Sequence, residues 1–311
     1  MRVLITGGLG FIGCNLALKC LSLVWEVVIV DSGKTEQHAF RRDVLAKAGS
    51  VDVYNQSLKS FVITSKFDNF DTVFHLAALP SVSYSVERPY ASFKANVQET
   101  TLMMLNEISK ASNIGRVVFA SSAAVYGNTT VFPTTEGSDK KPESPYGLQK
   151  LLCEQLVEFS SRTQGFDSVS LRYFNVYGPY QYLTGAYATA VSAWLNAIKN
   201  NMPLRKDGTG EQSRDMVYVE DVVQANILAA TYKGELKGVP INVASGTEIS
   251  NNEILGMITS RFNVDIEQAP FRPGDVMRTC PSIQLARKVL GYEPKFTFEE
   301  GLERTIESLG L

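Results

Sequence analysis

The chain has 311 residues, enough for one large domain or two lobes, and 44% of them are apolar while 20% are charged. This balance allows a substantial buried core and excludes an intrinsically disordered chain. The 30 Lys and Arg residues are balanced by 32 Asp and Glu residues, so there is no net basic field for non-specific binding to nucleic acid.

The cysteines and the apolar runs indicate the environment of the protein. Cys14, Cys20, Cys153 and Cys280 lie far apart, form no CxxC pair and do not cluster with the two histidines. This spacing favours a reduced, metal-free protein, which we expect to be cytoplasmic. Because no apolar run reaches the length of a membrane-spanning helix, we also expect no membrane partner.

The first predicted unit is a strand, a glycine-rich turn and a helix. The strand Val3–Ile5 leads into glycines at 7, 10 and 13, and a helical pattern follows. In this GxxGxxG spacing the first glycine permits a tight turn, the second lets the backbone approach a pyrophosphate, and the third lets the helix pack on the strand. The N-terminus of the helix offers its amides to the anion. The unit therefore predicts a dinucleotide-binding turn.

The second predicted strand, Val27–Val30, ends in Asp31. A carboxylate at this place can hold the ribose diol of an adenosine and repels a 2′-phosphate, which favours NAD over NADP. Lys34, Arg41 and Arg42 are close by in the sequence and weaken that preference.

The next predicted elements continue an alternation of strands and helices. Val51–Val53 is a third strand, and Thr72–Ala78 is a fourth, whose small residues would let a cofactor pass over the strand end. We interpret His75 in that strand as a satisfied strand-end residue rather than a catalyst. A helical stretch from about Tyr90 to Ser112 leads back to the sheet. The alternation predicts an α/β fold with a doubly wound parallel sheet.

Two segments of the chain supply a hydroxyl, a phenol and an ammonium. The strand Arg116–Ala120 runs into Ser121 and Ser122, at the end of the strand where an open α/β sheet places its chemistry. A later helix is predicted to begin at a proline, and Tyr146 and Lys150 share one face of it because they are four residues apart. An ammonium beside a phenol favours the phenolate, so we expect a lowered pKa for Tyr146 and a role as a base near neutral pH.

The remainder of the chain is less regular. Strands are predicted at Ser168–Phe174, Met216–Val219 and Ile241–Val243, with a helix over about 220–232. We expect residues 1–175, joined by about 216–245, to form a nucleotide-binding domain, and residues 176–215 and 246–311 to form a smaller lobe. Arg214 and Arg272 are candidates to clamp a diphosphate, because a guanidinium matches phosphate oxygens in pairs.

Several motifs follow one another in a fixed order: Gly7/Gly10/Gly13, Asp31, Ser-Ala-Ala-Val-Tyr-Gly at 122–127, Tyr146-Gly147-x-x-Lys150, the segment Leu171–Pro179, and Gly208-Thr209-Gly210-x-x-x-Arg214-Asp215. Together they resemble the extended short-chain dehydrogenases/reductases, in the NAD-dependent nucleotide-sugar epimerase/dehydratase family, over nearly the whole chain. The resemblance implies a Rossmann-type sheet with a smaller C-terminal substrate-binding lobe, a tightly held NAD and a sugar nucleotide between the lobes.

The resemblance also implies roles for individual residues. Tyr146, Lys150 and Ser122 are the expected catalytic set, with Ser121 as a second candidate for the serine. The expected cofactor-binding residues are Gly7, Gly10, Phe11, Ile12, Asp31, Asp52, Val53, Leu76, Ala77, Ala78, Asn96, Tyr146, Lys150 and Tyr173. The expected substrate-binding residues are Ser122, Tyr146, Asn175, Ala186, Tyr187, Arg214, Arg272 and Thr279.

The residues after the catalytic serine help to choose the reaction. Dehydratases of the family place an Asp-Glu pair there and the decarboxylases usually a Glu, whereas this chain has Ala123 and Ala124, which cannot transfer protons. The sequence therefore favours 4-epimerisation, in which Tyr146 takes the proton of the 4-hydroxyl and the cofactor takes and returns the hydride. The alternatives are a nucleotide-sugar 4-ketoreductase or dehydratase, and a non-catalytic NAD-binding sensor module.

The substrate and the assembly are also read from the resemblance. A small residue, Thr279, stands where related 4-epimerases gate the sugar pocket, and Gly185-Ala186-Tyr187 is similar to the N-acetylhexosamine epimerases. UDP-GlcNAc and UDP-GalNAc are thus the preferred pair, with UDP-glucose and UDP-galactose second. Lys206-Asp207 departs from the family's usual residues beside the nucleobase, which leaves the base open. The resemblance further implies a homodimer through helices at about 96–112 and 146–162.

Overall fold

The structure, a computed structural model, describes residues 1–33, 35–64, 69–111, 113–185, 189–271 and 276–311, without the side chains of 62–64. The strands are β1 (Arg2–Thr6), β2 (Glu26–Val30), β3 (Val51–Tyr54), β4 (Phe70–His75), β5 (Ile114–Ser122), β6 (Asp167–Tyr173), β7 (Asn175–Tyr177), β8 (Leu204–Asp207), β9 (Ser213–Tyr218), β10 (Val239–Val243), β11 (Glu248–Ser250) and β12 (Ile266–Ala269).

Several helices begin at a capping residue, such as Ser144 before Pro145 of α7, whose side chain accepts a hydrogen bond from the Gly147 amide. The α-helices are α1 (Phe11–Ser22), α2 (Glu36–Ala48), α3 (Leu58–Thr64), α4 (Val82–Glu87), α5 (Pro89–Phe93), α6 (Met103–Ile108), α7 (Pro145–Gln164), α8 (Ala190–Lys199), α9 (Val219–Thr231), α10 (Asn251–Arg261), α11 (Gln284–Leu290) and α12 (Phe298–Ser308). None of these helices, within the described part of the chain, is long and apolar enough to cross a membrane.

The largest sheet has seven strands in the order β10-β6-β5-β4-β1-β2-β3, and every neighbouring pair is parallel. This arrangement confirms the predicted α/β class with a doubly wound sheet. The strand order reverses between β1 and β4, so the carboxyl ends of these strands open a crevice where ligands bind in such sheets.

The sheet is buried on both faces, which explains why its strands are continuous apolar runs. Val3 and Ile5 point into one apolar cluster together with Leu16 of α1 and Val222 of α9. Leu4, between them, points into the opposite cluster, which also contains Met104 of α6 and Val157 of α7. These two clusters fix the helices against the sheet and set the height of each strand end.

A smaller region lies beyond β6. A three-stranded sheet has the order β11-β9-β7, and a two-stranded parallel sheet pairs β12 with β8. A third apolar cluster, which includes Trp194, Ile258 and Leu302, joins α8, α10 and α12 to these strands. Helix α8 and strands β8 and β12 were not predicted from the sequence, which is rich in turn residues in this region.

Two predicted elements differ in detail from the structure. The strand predicted at Thr72–Ala78 ends at His75, since the chain leaves the sheet at the next residue. The helix predicted over Tyr90 to Ser112 is α5 and α6 joined by a π-helical segment, Lys94–Leu102, and Ser112 lies outside the described residues.

Candidate active site

The glycine-rich turn after β1 forms a backbone cradle at the N-terminus of α1. The amide of Gly10 donates to the carbonyl of Gly7 at 3.0 Å, and a Cβ on Gly13 would collide with that same carbonyl oxygen. Helix α1 has no side-chain cap from Gly10, and the amides of its first residues, Phe11 and Ile12, have no acceptor within the helix. This end of the helix can therefore receive an anion such as a diphosphate.

Asp31 lies beside the cradle, directly after β2. Its two carboxylate oxygens accept hydrogen bonds from the amides of Leu9, at 2.9 Å, and Gly33, at 2.7 Å. Of the neighbouring cations, Arg41 is buried and donates to the carbonyls of Leu9 and Tyr180, at 3.1 and 2.6 Å. Arg41 thus has a structural task, and Lys34 lies outside the described residues.

The loop after β4 passes over the same edge of the sheet as the cradle. Leu76, Ala77 and Ala78 lead to Leu79, whose amide donates to Asn96 Oδ1 at 2.6 Å, while Asn96 Nδ2 donates back to the Leu79 carbonyl at 3.2 Å. Asn96 therefore shapes this loop from the π-helical segment.

Strand β3 places Asp52 and Val53 near the outer edge of the sheet. Asp52 is exposed and pairs in register with Val28 of β2. Both residues therefore belong to the edge strand next to β2, which Asp31 follows.

Ser122 and Tyr146 come together at the centre of the site. Ser122 ends β5, and Tyr146 lies in the first turn of α7, with its own amide bonded to Ser85 Oγ at 3.1 Å. The Ser122 hydroxyl lies near enough to the Tyr146 phenol to affect its pKa. Burial raises the pKa of Tyr146 to about 12, and the interaction with Ser122 opposes that rise. In the protein alone the phenol is therefore held in its neutral form.

Lys150 lies one turn further along α7, but its ammonium does not point at the phenol. Lys150 Nζ donates to the carbonyl of Ala120 at 2.7 Å and is 5.9 Å from the centroid of the Tyr146 ring. Burial lowers the pKa of Lys150 to about 8. The prediction that Lys150 by itself lowers the pKa of Tyr146 is therefore wrong for the protein alone, because burial of the phenol is the larger effect.

Ser121 is not brought to Tyr146. Its Oγ donates to Glu154 Oε1 at 2.5 Å, in a buried network that also contains Arg172. Consecutive residues of a strand point to opposite sides, so only Ser122 can face the phenol. This geometry corrects the assignment of Ser121 as a second catalytic candidate. The sequence analysis also missed Glu154, although it follows Lys150 by four residues on the same helical face.

Two other predicted residues have buried partners. The hydroxyl of Tyr173 donates to Asn226 Oδ1 of α9 at 2.9 Å, and its predicted cofactor contact stays a prediction. His75 contacts Thr6 and Thr101 through its two ring nitrogens, at 2.7 and 3.2 Å. Burial lowers the pKa of His75 to about 3, which fits a satisfied strand-end residue.

Three predicted substrate-binding residues lie close together in the smaller region. Asn175 Nδ2 donates to the Asp215 carbonyl at 3.0 Å and lies 3.4 Å from Thr279 Oγ1. Thr279 pairs along β9, where the Asp215 amide donates to its carbonyl at 3.1 Å, and Arg214 is the neighbouring residue. Predicted contacts at Ala186, Tyr187 and Arg272 lie outside the described residues.

Asp215 is a further buried acid at this place. Its carboxylate accepts the amides of Ser245 and Gly246, each at 2.7 Å, and burial raises its pKa to about 6. It joins β9 to the loop after β10. Among the described residues, no group of three or more His, Cys, Asp or Glu side chains could hold a metal ion.

Known proteins are similar to this chain in sequence and in fold. Residues 3–244 match the NAD dependent epimerase/dehydratase family. The chain is 33% identical over 309 residues to a putative UDP-glucose 4-epimerase of Methanocaldococcus jannaschii, a match that covers 98% of this chain and 97% of that protein.

Two solved structures are similar over their whole length. One is a UDP-glucose 4-epimerase with UDP-glucose from Thermotoga maritima, with a TM-score of 0.88, 33% identity and coverage of 100% of this chain and 99% of that chain. The other is a UDP-N-acetylglucosamine 4-epimerase from Methanobrevibacter ruminantium in complex with UDP-N-acetylmuramic acid, with a TM-score of 0.89, 32% identity and coverage of 99% and 97%.

Proposed function

The chain belongs to the NAD-dependent epimerase/dehydratase family, and from that premise we propose that it inverts the configuration at C4 of a UDP-hexose. The family confirms the predicted cofactor, NAD. The observation that carries the proposal is the approach of Ser122 to the buried phenol of Tyr146, beside two alanines, Ala123 and Ala124. The names of the similar proteins, which are UDP-sugar 4-epimerases, support it.

The residues present fit a dinucleotide. The amides of Phe11 and Ile12 at the start of α1 suit the diphosphate, and Asp31 beside them suits a ribose diol. When bound, NAD⁺ supplies a hydride acceptor for C4 that later serves as the hydride donor. Lys150 is proposed to hold a ribose hydroxyl, and Asn175, Arg214 and Arg272 to hold the diphosphate of the substrate.

Tyr146 is the proposed base. Its phenolate takes the proton of the 4-hydroxyl and returns it at the opposite configuration, while Ser122 holds the reacting oxygen by a hydrogen bond. Because burial alone keeps the phenol neutral, it must become more acidic in the complex, where the Lys150 ammonium on the same helical face contributes. The 4-keto sugar then rotates within the site before the hydride returns to it.

Ala123 and Ala124 argue against the alternative reactions. Elimination of water from a sugar needs groups that move protons at neighbouring carbons, and methyl side chains cannot do this. A 4-ketoreductase would need an external supply of reductant. A non-catalytic sensor module would have no use for a buried phenol aligned with a serine.

The proposed substrate pair is UDP-GlcNAc and UDP-GalNAc, with UDP-glucose and UDP-galactose as the alternative. The small side chain of Thr279 supports a pocket with room for an acetamido group, and its hydroxyl lies 3.4 Å from Asn175 Nδ2. The similar protein from Methanobrevibacter ruminantium is named a UDP-N-acetylglucosamine 4-epimerase, whereas other relatives are named for UDP-glucose. The latter names make the plain hexoses the necessary comparison.

The experiment is product analysis of the purified holoenzyme. UDP-GlcNAc, UDP-glucose, UDP-glucuronic acid, a GDP-sugar and a dTDP-sugar are each incubated without added reductant, and the products are separated by chromatography. We expect UDP-GalNAc at the highest kcat/KM and no loss of water. Net dehydration, a need for stoichiometric NADPH, or no turnover of any sugar would contradict the proposal.

We also propose that the protein is a cytoplasmic homodimer. The apolar side chains of Leu148 and Phe159 on α7 and Leu102 of the π-helical segment are exposed. A groove of about 410 Å³ between α5 and α7, lined by Pro89, Phe93 and Leu152, continues this surface. Apolar patches of this kind mark association sites, and a second copy of the same surface is the simplest partner.

Residues 176–215 and 246–311 are proposed to form the substrate-binding lobe.

A further inference from the structure

Three buried polar side chains of α7 follow one another at intervals of one turn: Tyr146, Lys150 and Glu154. The first two contact Ser122 and a β5 carbonyl, as described above. Glu154 makes a third contact, because its Oε1 accepts a hydrogen bond from Ser121 Oγ at 2.5 Å. The end of β5 is thus attached to the helix at three successive points, of which only the first two have a proposed task.

Glu154 is held in a buried ion pair. Arg172 of β6 donates to both of its carboxylate oxygens, from Nε at 2.8 Å and from Nη2 at 2.7 Å. The second terminal nitrogen of Arg172 donates to the Tyr126 hydroxyl at 2.8 Å, and Tyr126 donates to Asn242 Oδ1 of β10 at 2.6 Å. The side chains of Arg172 and Glu154 are only 2% and 8% exposed. A bidentate pair of this kind fixes orientation as well as distance.

These contacts enclose Ser122 from both directions along the chain. Ser121, the preceding residue, is bonded to Glu154, and Tyr126, which closes the 3₁₀ turn Ala123–Tyr126, is bonded to Arg172. Helix α7 also approaches that turn closely, since a Cβ on Gly147 would lie 2.5 Å from the carbonyl oxygen of the turn's second residue. The position of the serine relative to the phenol is therefore set by one network.

We propose that Glu154, through its ion pair with Arg172 and its bond to Ser121, is a positioning residue that holds Ser122 against Tyr146 for the reaction. The proposal rests on the proposed function for its kinetic part only. A positioning error of about 1 Å costs roughly 100-fold in rate, so a network that fixes the serine has a measurable effect on kcat.

The charge of Glu154 gives a second readout. Four titratable groups face the Lys150 ammonium: Tyr146, Cys153 and Glu154 on α7 and His75 on β4. Burial lowers the pKa of Lys150, and the negative charge of Glu154 partly restores it. Removing that charge should therefore make Lys150 lose its proton at a lower pH, without any involvement of substrate.

The test compares Glu154→Gln with Glu158→Gln. Glu158 is one turn further along α7, half-exposed and 3.9 Å from Arg162, so its variant controls for the loss of a helix carboxylate. We expect Glu154→Gln to retain NAD, to lose about 10- to 100-fold in kcat and to keep KM within about threefold. Glu158→Gln should keep the wild-type kcat.

The pKa of Lys150 is measured by NMR of protein labelled in the lysine side chains, with Lys150→Met to assign the signal. We expect it to fall by roughly one unit in Glu154→Gln and to stay unchanged in Glu158→Gln. This NMR readout needs no turnover and is therefore independent of the proposed function. The proposed function fails separately, if the wild type converts no UDP-hexose. An unchanged kcat together with an unchanged Lys150 titration in Glu154→Gln would overturn the proposal.

Loss of half of a buried ion pair can prevent folding, so Ser121→Ala is the second variant. It removes only the hydroxyl bonded to Glu154 and leaves the ion pair intact. We expect kcat to fall about 3- to 10-fold with an unchanged pH profile, since no charge is removed. If Glu154→Gln does not fold and Ser121→Ala retains kcat within about twofold, the proposal is overturned.

Discussion

Helix α7 reverses the usual distribution of polar and apolar side chains between the two faces of a surface helix. The inner face buries polar groups: Tyr146, Lys150 and Glu154 are 8%, 6% and 6% exposed. The outer face exposes apolar groups, with Leu148 at 58% and Phe159 at 59%. An amphipathic helix normally does the reverse, because buried charge and exposed apolar area both reduce stability.

We propose a different task for each face. On the inner face burial shifts the pKa of Tyr146 upward and that of Lys150 downward, so burial disfavours the ionised form of each group. Such costs persist where groups are needed for chemistry. On the outer face the apolar side chains are exposed to solvent in the single chain. We therefore propose that they pack against a second subunit.

The largest effect is expected for the inner face at Tyr146→Phe. Removal of the phenolic oxygen removes the proposed base, and general acid–base catalysis contributes about 10²- to 10⁴-fold, so kcat should fall by that factor. NAD should stay bound, since the ring remains. Tyr232→Phe, at the far end of α9, is the control. Activity of Tyr146→Phe within about tenfold of wild type would break the assignment of this face to chemistry.

Lys150→Met should lower activity strongly while it stabilises the fold at neutral pH. The pKa of Lys150 is about 8 in the folded protein, below its ordinary value of 10.5. Because the unfolded chain binds this proton more tightly, the charge destabilises the fold most below pH 8, and stability rises as the pH increases towards 10.5.

Thermal unfolding of the wild type and Lys150→Met at two pH values, about 7 and about 10, measures this effect. The Tm difference in favour of Met should be larger at the lower pH. Equal differences at both pH values would show that the buried ammonium does not carry the expected cost.

The outer face is tested by the double variant Leu148→Glu, Phe159→Glu. Burial of one such side chain contributes about 1.5–3 kcal/mol, so the dissociation constant of a dimer should rise by at least about 100-fold. Sedimentation velocity measures the change, with Val24→Glu, an exposed apolar residue in a distant turn, as the control. A monomeric wild type, or a double variant that dimerises like the wild type, would show that the outer face of α7 is not a dimer interface.

The smallest effect is expected at Thr279→Tyr, which leaves both faces of α7 intact. A bulky ring should exclude an acetamido group, and the ratio of kcat/KM for UDP-GlcNAc over UDP-glucose should fall by about 10- to 100-fold. Thr279→Ser, which keeps the hydroxyl and the space, separates the effect of bulk from that of the bonds to Asn175 and Asp215. An unchanged ratio in Thr279→Tyr would show that this residue does not choose the sugar.

Local sequence patterns were enough to predict the cradle and helix α7. The glycine spacing after β1, the position of Asp31 at the end of β2 and the four-residue step from Tyr146 to Lys150 are all short-range features, and the structure places them at one edge of the sheet. The parallel order of the strands followed from the alternation of elements.

What the sequence could not supply depends on partners far along the chain. The choice between Ser121 and Ser122 depends on the register of β5 against Glu154 and Arg172. The sign of the pKa shift at Tyr146 depends on how completely the folded chain buries it. The bond from the Tyr173 hydroxyl to Asn226 of α9 could not be predicted for the same reason, since the two residues are 53 positions apart.

The most direct test of the account follows deuterium at C4 of the substrate. UDP-GlcNAc labelled with deuterium at C4 is incubated with the wild-type holoenzyme in ordinary water, and the product is examined by mass spectrometry and NMR. If Tyr146 drives reversible oxidation at C4, the UDP-GalNAc formed keeps its deuterium at C4, because the hydride leaves and returns without exchange. Loss of the label to water, or its appearance at another carbon, would contradict the account.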